Sequence, residues 1–280
     1  MRKYPLLVGA TIAISATPAF AQDATPEYFD GFYIGGSIGL DALSDSADDG
    51  IVFDTDGNGE FNDSVLTTTN ANAFSPGFCN GAAIGNSPAS GCANDDDDFG
   101  YSVRLGYDKR LGGGPVVAGL LVEGARSEAT EFSTGFSTTP ASYTTIRELD
   151  WSVGARARLG YSPGDGRGLF YATGGVAYGK IDHAFATTNG ANEFTGQNDD
   201  DWRFGTQVGG GAELMLTNNI SMGLEYLWSR YDDDKYSVLV TQGTAPATNP
   251  FLLDSGETSI RPSDTDFDIH SLRATVGFRF

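Results

Sequence analysis

The sequence predicts an all-β protein: an eight-stranded antiparallel up-and-down transmembrane β-barrel with long extracellular loops. Three observations point to this fold class. Segments of about ten residues alternate between apolar and polar side chains, aromatic residues lie near the ends of these segments, and the connections alternate between short turns and long loops. Beyond the N-terminus, no window approaches the ~20 consecutive apolar residues of a membrane helix, so strands must make the crossings.

Eight alternating segments supply the predicted strands. In the clearest one, 150–161, Trp151 and Val153 face one way and Arg156 the other, as expected of a strand between lipid and a polar interior. Both faces of 169–181 are mixed, so the sequence does not assign the facing of this segment. The remaining predicted strands are 32–40, 99–108, 116–127, 208–216, 220–228 and 271–280.

The lengths of the connections predict the topology. Outer-membrane barrels have short turns on the periplasmic side and longer loops on the extracellular side. The pattern therefore predicts four extracellular loops, the first of them long and acidic, and places both termini in the periplasm. The short turns are 109–114, 162–168 and 217–219, and the long loops are 41–98, 128–148, 182–202 and 232–266.

The N-terminus carries a predicted export signal. Arg2 and Lys3 precede a short apolar stretch and a small-x-small exit, which predicts cleavage after Ala21. Residues 1–21 are then the signal peptide and 22–280 the mature barrel. Removing the two basic residues makes the formal net charge, -20 for the whole sequence, more negative still. Because binding to nucleic-acid phosphates depends on Lys and Arg, this acidity argues against a nucleic-acid partner.

Short motifs connect the predicted strands to a known family. They are Val122-Glu123-Gly124, Arg156-Ala157-Arg158-Leu159-Gly160-Tyr161, Gly174-Gly175-Val176-Ala177-Tyr178, Gly209-Gly210-Gly211-Ala212-Glu213, Leu224-Glu225-Tyr226 and His270 ahead of Arg273. With the alternating terminal strand, their order and spacing resemble the eight-stranded outer-membrane protein beta-barrel family, which contains the small porin family and the opacity-type surface antigens of proteobacteria. The resemblance implies an outer-membrane location and a role in surface structure, adhesion or host contact. It also implies that Phe280 belongs to the signal read by the outer-membrane assembly machinery.

The polar faces of the predicted strands bring charges into the barrel interior. Two interpretations stay open: the charges line a narrow ion path, or they pair across a filled lumen, since eight strands enclose a bore only just wide enough for side chains. A buried charge without a partner costs several kcal/mol, which favours mutual pairing. The predicted network comprises Arg104, Glu123, Arg156, Arg158, Glu213, Glu225, Arg273 and Arg279.

The first long loop contains a candidate calcium site. Oxygen-bearing side chains recur at alternate positions, and glycines between them permit a sharp turn, as in a calcium-binding loop. The EF-hand pattern requires Glu at its twelfth position, which here is Val65, so the pattern is incomplete, with Asp63 as a substitute ligand. The alternative is a solvated acidic turn. The candidate ligands are Asp54, Asp56, Asn58 and Glu60.

Cys79 and Cys92, the two cysteines of the chain, lie in the same loop. An exported protein meets an oxidising compartment, which predicts a disulfide between them. Closing a loop of this size is worth ~3 kcal/mol in the chain-entropy model. The predicted role of the disulfide is to fix an exposed loop, with no redox chemistry implied.

Three functions are compatible with this sequence. The first is a structural and surface-interaction protein that contacts outer-membrane lipid and, through its loops, divalent cations or host and cell-surface molecules. The second is a narrow channel for ions or small solutes. The third, a membrane-embedded hydrolase, needs a nucleophile beside an oriented base, but no spacing singles out a partner for His183 or His270. The chain is therefore predicted to be a surface protein rather than an enzyme, with calcium as its candidate cofactor.

Overall fold

The computed structural model describes residues 28–43 and 50–280, so the predicted signal peptide lies outside the described residues. Eight antiparallel strands pair with their neighbours in a closed ring, which confirms the predicted barrel. Around the ring these strands are β1 (Gly31–Leu43), β6 (Asp98–Arg110), β7 (Val116–Ser127), β9 (Ala141–Tyr161), β10 (Gly168–Thr187), β12 (Asp200–Met215), β13 (Ile220–Asp232) and β16 (Asp266–Arg279).

Alternation along the strands directs apolar side chains outwards and polar ones inwards. On β9, Val153 and Leu159 are 59% and 61% exposed, whereas Arg156 is 1% exposed. The segment whose facing the sequence did not assign follows the same rule, since Phe170 lies outside and Tyr171 inside. An outer surface of this kind suits contact with lipid hydrocarbon.

Three short turns close one end of the barrel, at 111–115, 162–167 and 216–219. In the first turn, Gly112 and Gly113 have φ angles of 61° and 67°, a left-handed conformation that glycine adopts without the clash of a Cβ atom. Behind these turns a small apolar cluster covers the interior. Its buried members are Phe29, Val117, Leu169, Tyr171 and Met215.

At the opposite end several strands continue past the apolar belt, and here the predicted loop boundaries are wrong. β1 runs on to Leu43, and β9 and β10 stay paired as far as Tyr143 and Thr187. The upper part of β9 is buried on both faces, so its sequence lacks the alternation that marks a lipid-facing strand. The long connections therefore contain ordered β-structure of their own. We call residues 50–97, 128–148, 183–199 and 233–265 the cap.

The cap contains a second sheet and its own apolar core. Four strands pair in the order β11 (Glu193–Gln197), β14 (Ser237–Thr241), β15 (Thr258–Pro262) and β2 (Ile51–Asp54). The remaining cap strands are β3 (Gly77–Asn80), β4 (Ala82–Ala83), β5 (Cys92–Ala93) and β8 (Thr130–Ser137), of which β8 pairs with β9. The buried core residues are Ile51, Phe53, Val65, Ala73, Phe74, Ala141, Tyr143, Tyr236, Val238, Val240, Phe251 and Ile260.

Helical structure in the described residues is confined to two short 3-10 segments, Pro88–Ser90 and Pro250–Leu252. No helix in this part of the chain is long and apolar enough to cross a membrane. A third apolar cluster lies where the barrel meets the cap and includes Leu149, Tyr231 and Phe267. The barrel interior is thus covered by apolar side chains at both ends.

Candidate functional site: barrel interior and cap

The interior near the short turns holds a four-membered ring of charges. Arg158 donates from Nε to Asp108 at 2.7 Å and from Nη1 to Glu213 at 3.1 Å. Arg279 completes the ring, since its two Nη atoms lie 2.7 Å from a carboxylate oxygen of Asp108 and of Glu213. Both guanidinium groups also lie over the ring of Tyr33, at 4.9 and 4.6 Å from its centroid. Each cation therefore contacts two carboxylates and an aromatic face.

A larger network fills the middle of the barrel. Arg104 bridges Glu123 and Glu225 at 2.8 and 3.0 Å, and Arg156 bridges the same two carboxylates at 3.2 and 3.3 Å. Arg273 adds a third contact to Glu123 at 3.2 Å. Such sharing offsets the cost of taking charges out of water, because each buried ion has more than one counter-ion.

The predicted interior charges therefore lie side by side, and the structure adds two carboxylates to them. Asp108 was missed although it has the inward parity of Arg104 on the same strand. Asp41 was missed because it falls in the predicted loop 41–98; it is completely buried, with Arg273 at 3.5 Å. With these additions, five arginines face five carboxylates in this part of the interior.

A second buried charge cluster, not foreseen from the sequence, lies where the barrel meets the cap. Arg147 contacts Glu131 at 2.7 Å and Asp233 at 3.7 Å. Although burial alone would lower it, the pKa of Arg147 is raised by the neighbouring Glu131 carboxylate. Asp233 also contacts Arg203 at 3.2 Å and His183 at 2.8 Å. The residues come from distant parts of the chain, so no local motif could reveal them.

The two histidines occupy different environments. The side chain of His183 is buried, paired with Asp233 and stacked on Tyr236 with ring centroids 4.2 Å apart. His270 lies near the outer surface, where its Nδ1 is 2.7 Å from the hydroxyl of Tyr226. Within residues 28–43 and 50–280, neither ring hydrogen-bonds a serine, threonine or cysteine side chain. In this part of the chain, therefore, neither histidine lies beside a serine, threonine or cysteine nucleophile.

The candidate calcium loop is folded as a tight turn around Asp54. The carboxylate of Asp54 accepts hydrogen bonds from the backbone N–H groups of Gly57, Asn58 and Gly59. Carboxylate oxygens of Asp54, Asp56 and Asp63 lie within 4.8 Å of one another. Among the four predicted ligands, the structure thus brings Asp54 and Asp56 together and supplies Asp63 as the third carboxylate. The predicted Glu60 side chain is exposed and lies outside this group.

Cys79 and Cys92 are joined by a disulfide in the structure. The bridge closes the base of a small hairpin, in which β4 and β5 pair through Ala82 with Ala93 and Ala83 with Cys92. At the other end of the chain, Phe280 follows β16 and is 64% exposed, and its backbone N–H donates to Phe32 at 3.0 Å. The terminal ring therefore lies on the lipid-facing side of the barrel seam.

Comparison with known proteins agrees with this architecture. Residues 64–280 match the family described as "Outer membrane protein beta-barrel domain". The chain belongs to this family. The match spans seven of the eight barrel strands and nearly all of the cap, and it confirms the resemblance noted from the motifs. The protein is accordingly an outer-membrane β-barrel.

Its relatives include proteins named as outer-membrane immunogenic proteins. The chain is 29% identical over 183 residues to the "31 kDa outer-membrane immunogenic protein" of Brucella melitensis and to that of Brucella suis. It is 26% identical over 183 residues to the "22 kDa outer membrane protein" of Rhizobium leguminosarum bv. viciae. Each alignment covers 65% of this chain and 66% of the relative, so it spans slightly less than two thirds of the relatives' length.

Two solved structures align with most of this chain. The outer membrane protein OprG from Pseudomonas aeruginosa is 13% identical, with a TM-score of 0.47, and the alignment covers 92% of this chain and 99% of OprG. Neisserial surface protein A is 10% identical, with a TM-score of 0.36, and the alignment covers 90% of this chain and 98% of that protein.

Proposed function

We propose that this protein is a non-conducting surface protein of the bacterial outer membrane, in which the barrel anchors the cap and the cap makes the functional contacts. The observation that carries this proposal is the filled interior. Arg104, Arg156 and Arg273 are each paired with carboxylates and almost completely buried, and apolar clusters cover both ends of the interior. An ion would have to separate these pairs to pass, which costs several kcal/mol.

The proposed orientation places the cap outside the cell and the short turns and both termini in the periplasm. It rests on the contrast between turns of a few residues at one end and a folded cap at the other, which is typical of outer-membrane barrels. The relatives named as immunogenic agree with a cap that is exposed at the cell surface.

The cap is suited to recognition because it is a folded body rather than a set of mobile loops. The upper parts of β9 and β10 extend barrel strands into the cap, and the cap core includes Val238, Val240 and Ile260, which are fully buried. A rigid scaffold that displays connecting segments is the common arrangement for binding sites. The proposal involves no catalytic step.

Three contacts are proposed for the rest of the molecule. The apolar belt contacts outer-membrane lipid, and Phe280 at the barrel seam is recognised by the assembly machinery. Calcium or another divalent cation is held by Asp54, Asp56 and Asp63, whose mutual repulsion such an ion would relieve.

Two measurements test the proposal. Single-channel recording of the refolded protein in planar bilayers should show no channel openings. Heat-modifiable gel mobility verifies that the protein in these recordings is folded. In whole cells, a membrane-impermeant maleimide should label Ile84→Cys in the cap but not Leu111→Cys in a short turn, although both native side chains are well exposed. Steady ion-selective openings would favour the channel function instead, and the opposite labelling pattern would overturn the orientation.

A further inference from the structure

One pocket in the cap is built from all four long connections. It has a volume of about 260 Å³. Phe74 comes from the first connection, Pro140 from the second, Gly190 from the third and Pro250 from the fourth. Convergence of separate segments on one concavity is typical of ligand sites. The other large concavities described here lie between outward-facing barrel side chains, where lipid is sufficient to explain them.

The surroundings of this pocket are uncharged, although the protein as a whole is strongly acidic. None of the described residues that line it carries a charge. The absence of charge extends along the chain on every side, because the connections contribute long stretches without Asp, Glu, Lys or Arg. These stretches are 64–94, 132–146, 184–192 and 236–253.

Hydroxyl and amide groups form much of the lining of the pocket. They belong to Ser137, Thr138 and Thr139 of the second connection, Thr188 and Asn189 of the third, and Asn249 of the fourth. The bottom is closed by the rings of Phe74, Tyr143 and Phe251, which lie 5.2 to 5.8 Å from one another. The pocket thus combines a rigid apolar base with a polar, uncharged rim.

The polar rim is held in place by an asparagine network. Asn192 accepts hydrogen bonds from the side-chain amides of Asn189 and Asn249 at 3.0 and 2.9 Å, which ties the third connection to the fourth. Asn189 also donates to the Tyr143 hydroxyl at 3.1 Å, which ties in the second connection. Burial raises the pKa of Tyr143, so this phenol stays uncharged at neutral pH. Preorganised polar groups of this kind lower the entropic cost of binding.

We propose that this pocket binds one ring of an uncharged saccharide. A charged ligand would lose hydration without gaining a counter-charge, whereas an uncharged ligand with several hydroxyl groups can hydrogen-bond to the amide and hydroxyl rim. The volume lies below the ~300–1,000 Å³ of drug-sized sites, which limits the occupant to about one ring. The walls are mostly turns, which favour a saccharide over an extended peptide that would need a strand edge for pairing.

The saccharide proposal rests on the proposed function in one respect, because it requires a folded cap that is exposed at the cell surface. Its test is therefore separate from conductance and from surface labelling. The refolded processed protein in detergent is titrated with methyl glycosides of glucose, galactose, mannose and N-acetylglucosamine, with saturation-transfer NMR as the readout. Glucuronic acid and glucosamine serve as charged counterparts, and a capped serine-threonine dipeptide serves as the peptide control.

Two variants make the test specific. Gly190→Phe places a ring in the pocket at a position where an added Cβ meets no atom within 4 Å, so the backbone can tolerate it. Thr195→Phe makes a similar addition at an exposed position of β11, away from the pocket lining. Heat-modifiable mobility confirms that both variants fold.

We expect at least one uncharged glycoside to bind saturably, with a dissociation constant on the order of 1 mM. Gly190→Phe should weaken this binding at least about tenfold and Thr195→Phe less than about twofold, and the charged counterparts should bind at least about tenfold more weakly. Absence of saturable glycoside binding, equal binding by Gly190→Phe, or a preference for the dipeptide or a charged sugar would each overturn the proposal. If the protein gives no channel openings and its cap is labelled at the cell surface, but no glycoside binds, the proposed function stands and only the saccharide proposal is overturned.

Discussion

Replacing Glu225 by Gln should destabilise the barrel by removing one negative charge from the centre of its interior. Glu225 is completely buried and accepts hydrogen bonds from Arg104 at 3.0 Å, Arg156 at 3.3 Å and the Tyr171 hydroxyl at 2.9 Å. The change keeps the shape of the side chain but leaves the interior with one arginine in excess. Removing one partner of a buried ion pair typically costs about 3–5 kcal/mol, and we expect Glu225→Gln to lower the free energy of unfolding by that amount.

Equilibrium unfolding of the refolded protein in guanidinium, followed by tryptophan fluorescence and gel mobility, measures this loss. Arg230→Gln is the matched control, because the Arg230 side chain is 43% exposed and its pair with Asp268 should contribute at most about 1 kcal/mol. The double variant Arg104→Gln/Glu225→Gln restores neutrality and should recover part of the loss, so its effect should be smaller than the sum of the two single changes. If Glu225→Gln costs no more than Arg230→Gln, the interior charges do not form a stabilising network.

Three further changes test other parts of the molecule. Replacing both Cys79 and Cys92 by Ala should speed protease cleavage within the hairpin, because ~3 kcal/mol of loop constraint is lost. The unfolding midpoint of the barrel should stay unchanged. Equal cleavage rates for the variant and the native protein would count against a constraining role of the disulfide. Deleting Phe280 should lower the amount of protein in the outer membrane, whereas Phe280→Tyr should not, as measured by fractionation; normal levels of the truncated chain would contradict the assembly role. Calcium should bind with one-to-one stoichiometry in calorimetry, and Asp54→Asn should abolish this binding while Asp165→Asn in a short turn leaves it unchanged.

The barrel could be predicted from the sequence because the alternation of side chains that specifies each strand is visible within a few consecutive residues. A strand between lipid and a polar interior must alternate, and pairs such as Val153 and Arg156 record that alternation directly. The inward-facing arginines and glutamates follow from the same parity. Parity does not identify the partners of each charge, because contacts such as Arg104 with Glu225 join strands that are not neighbours in the ring.

The cap could not be predicted in the same way. Its strands are short, and parts of them are buried on both faces, so the period-two signal disappears, as in the upper part of β9. The cluster of Arg147, Asp233 and His183 and the four-segment pocket depend on contacts between distant residues. The absence of charge from 64–94 was a signal available in the sequence, but it becomes informative only once the other uncharged stretches are seen to lie beside it.

The distribution of charge divides the molecule into zones that respond differently to salt. In the barrel interior, five arginines balance five carboxylates, and the pocket surroundings carry no charge, so much of the acidic excess lies outside both zones, as at Asp54, Asp56 and Asp63. Exposed charges are screened over about 8 Å at physiological ionic strength, whereas buried pairs are screened much less. Calcium binding should therefore weaken as sodium chloride is raised, whereas glycoside binding at the pocket and the stability contributed by Glu225 should change little. If calcium binding, glycoside binding and the stability contributed by Glu225 all changed with salt in the same way, the zones would be electrostatically coupled.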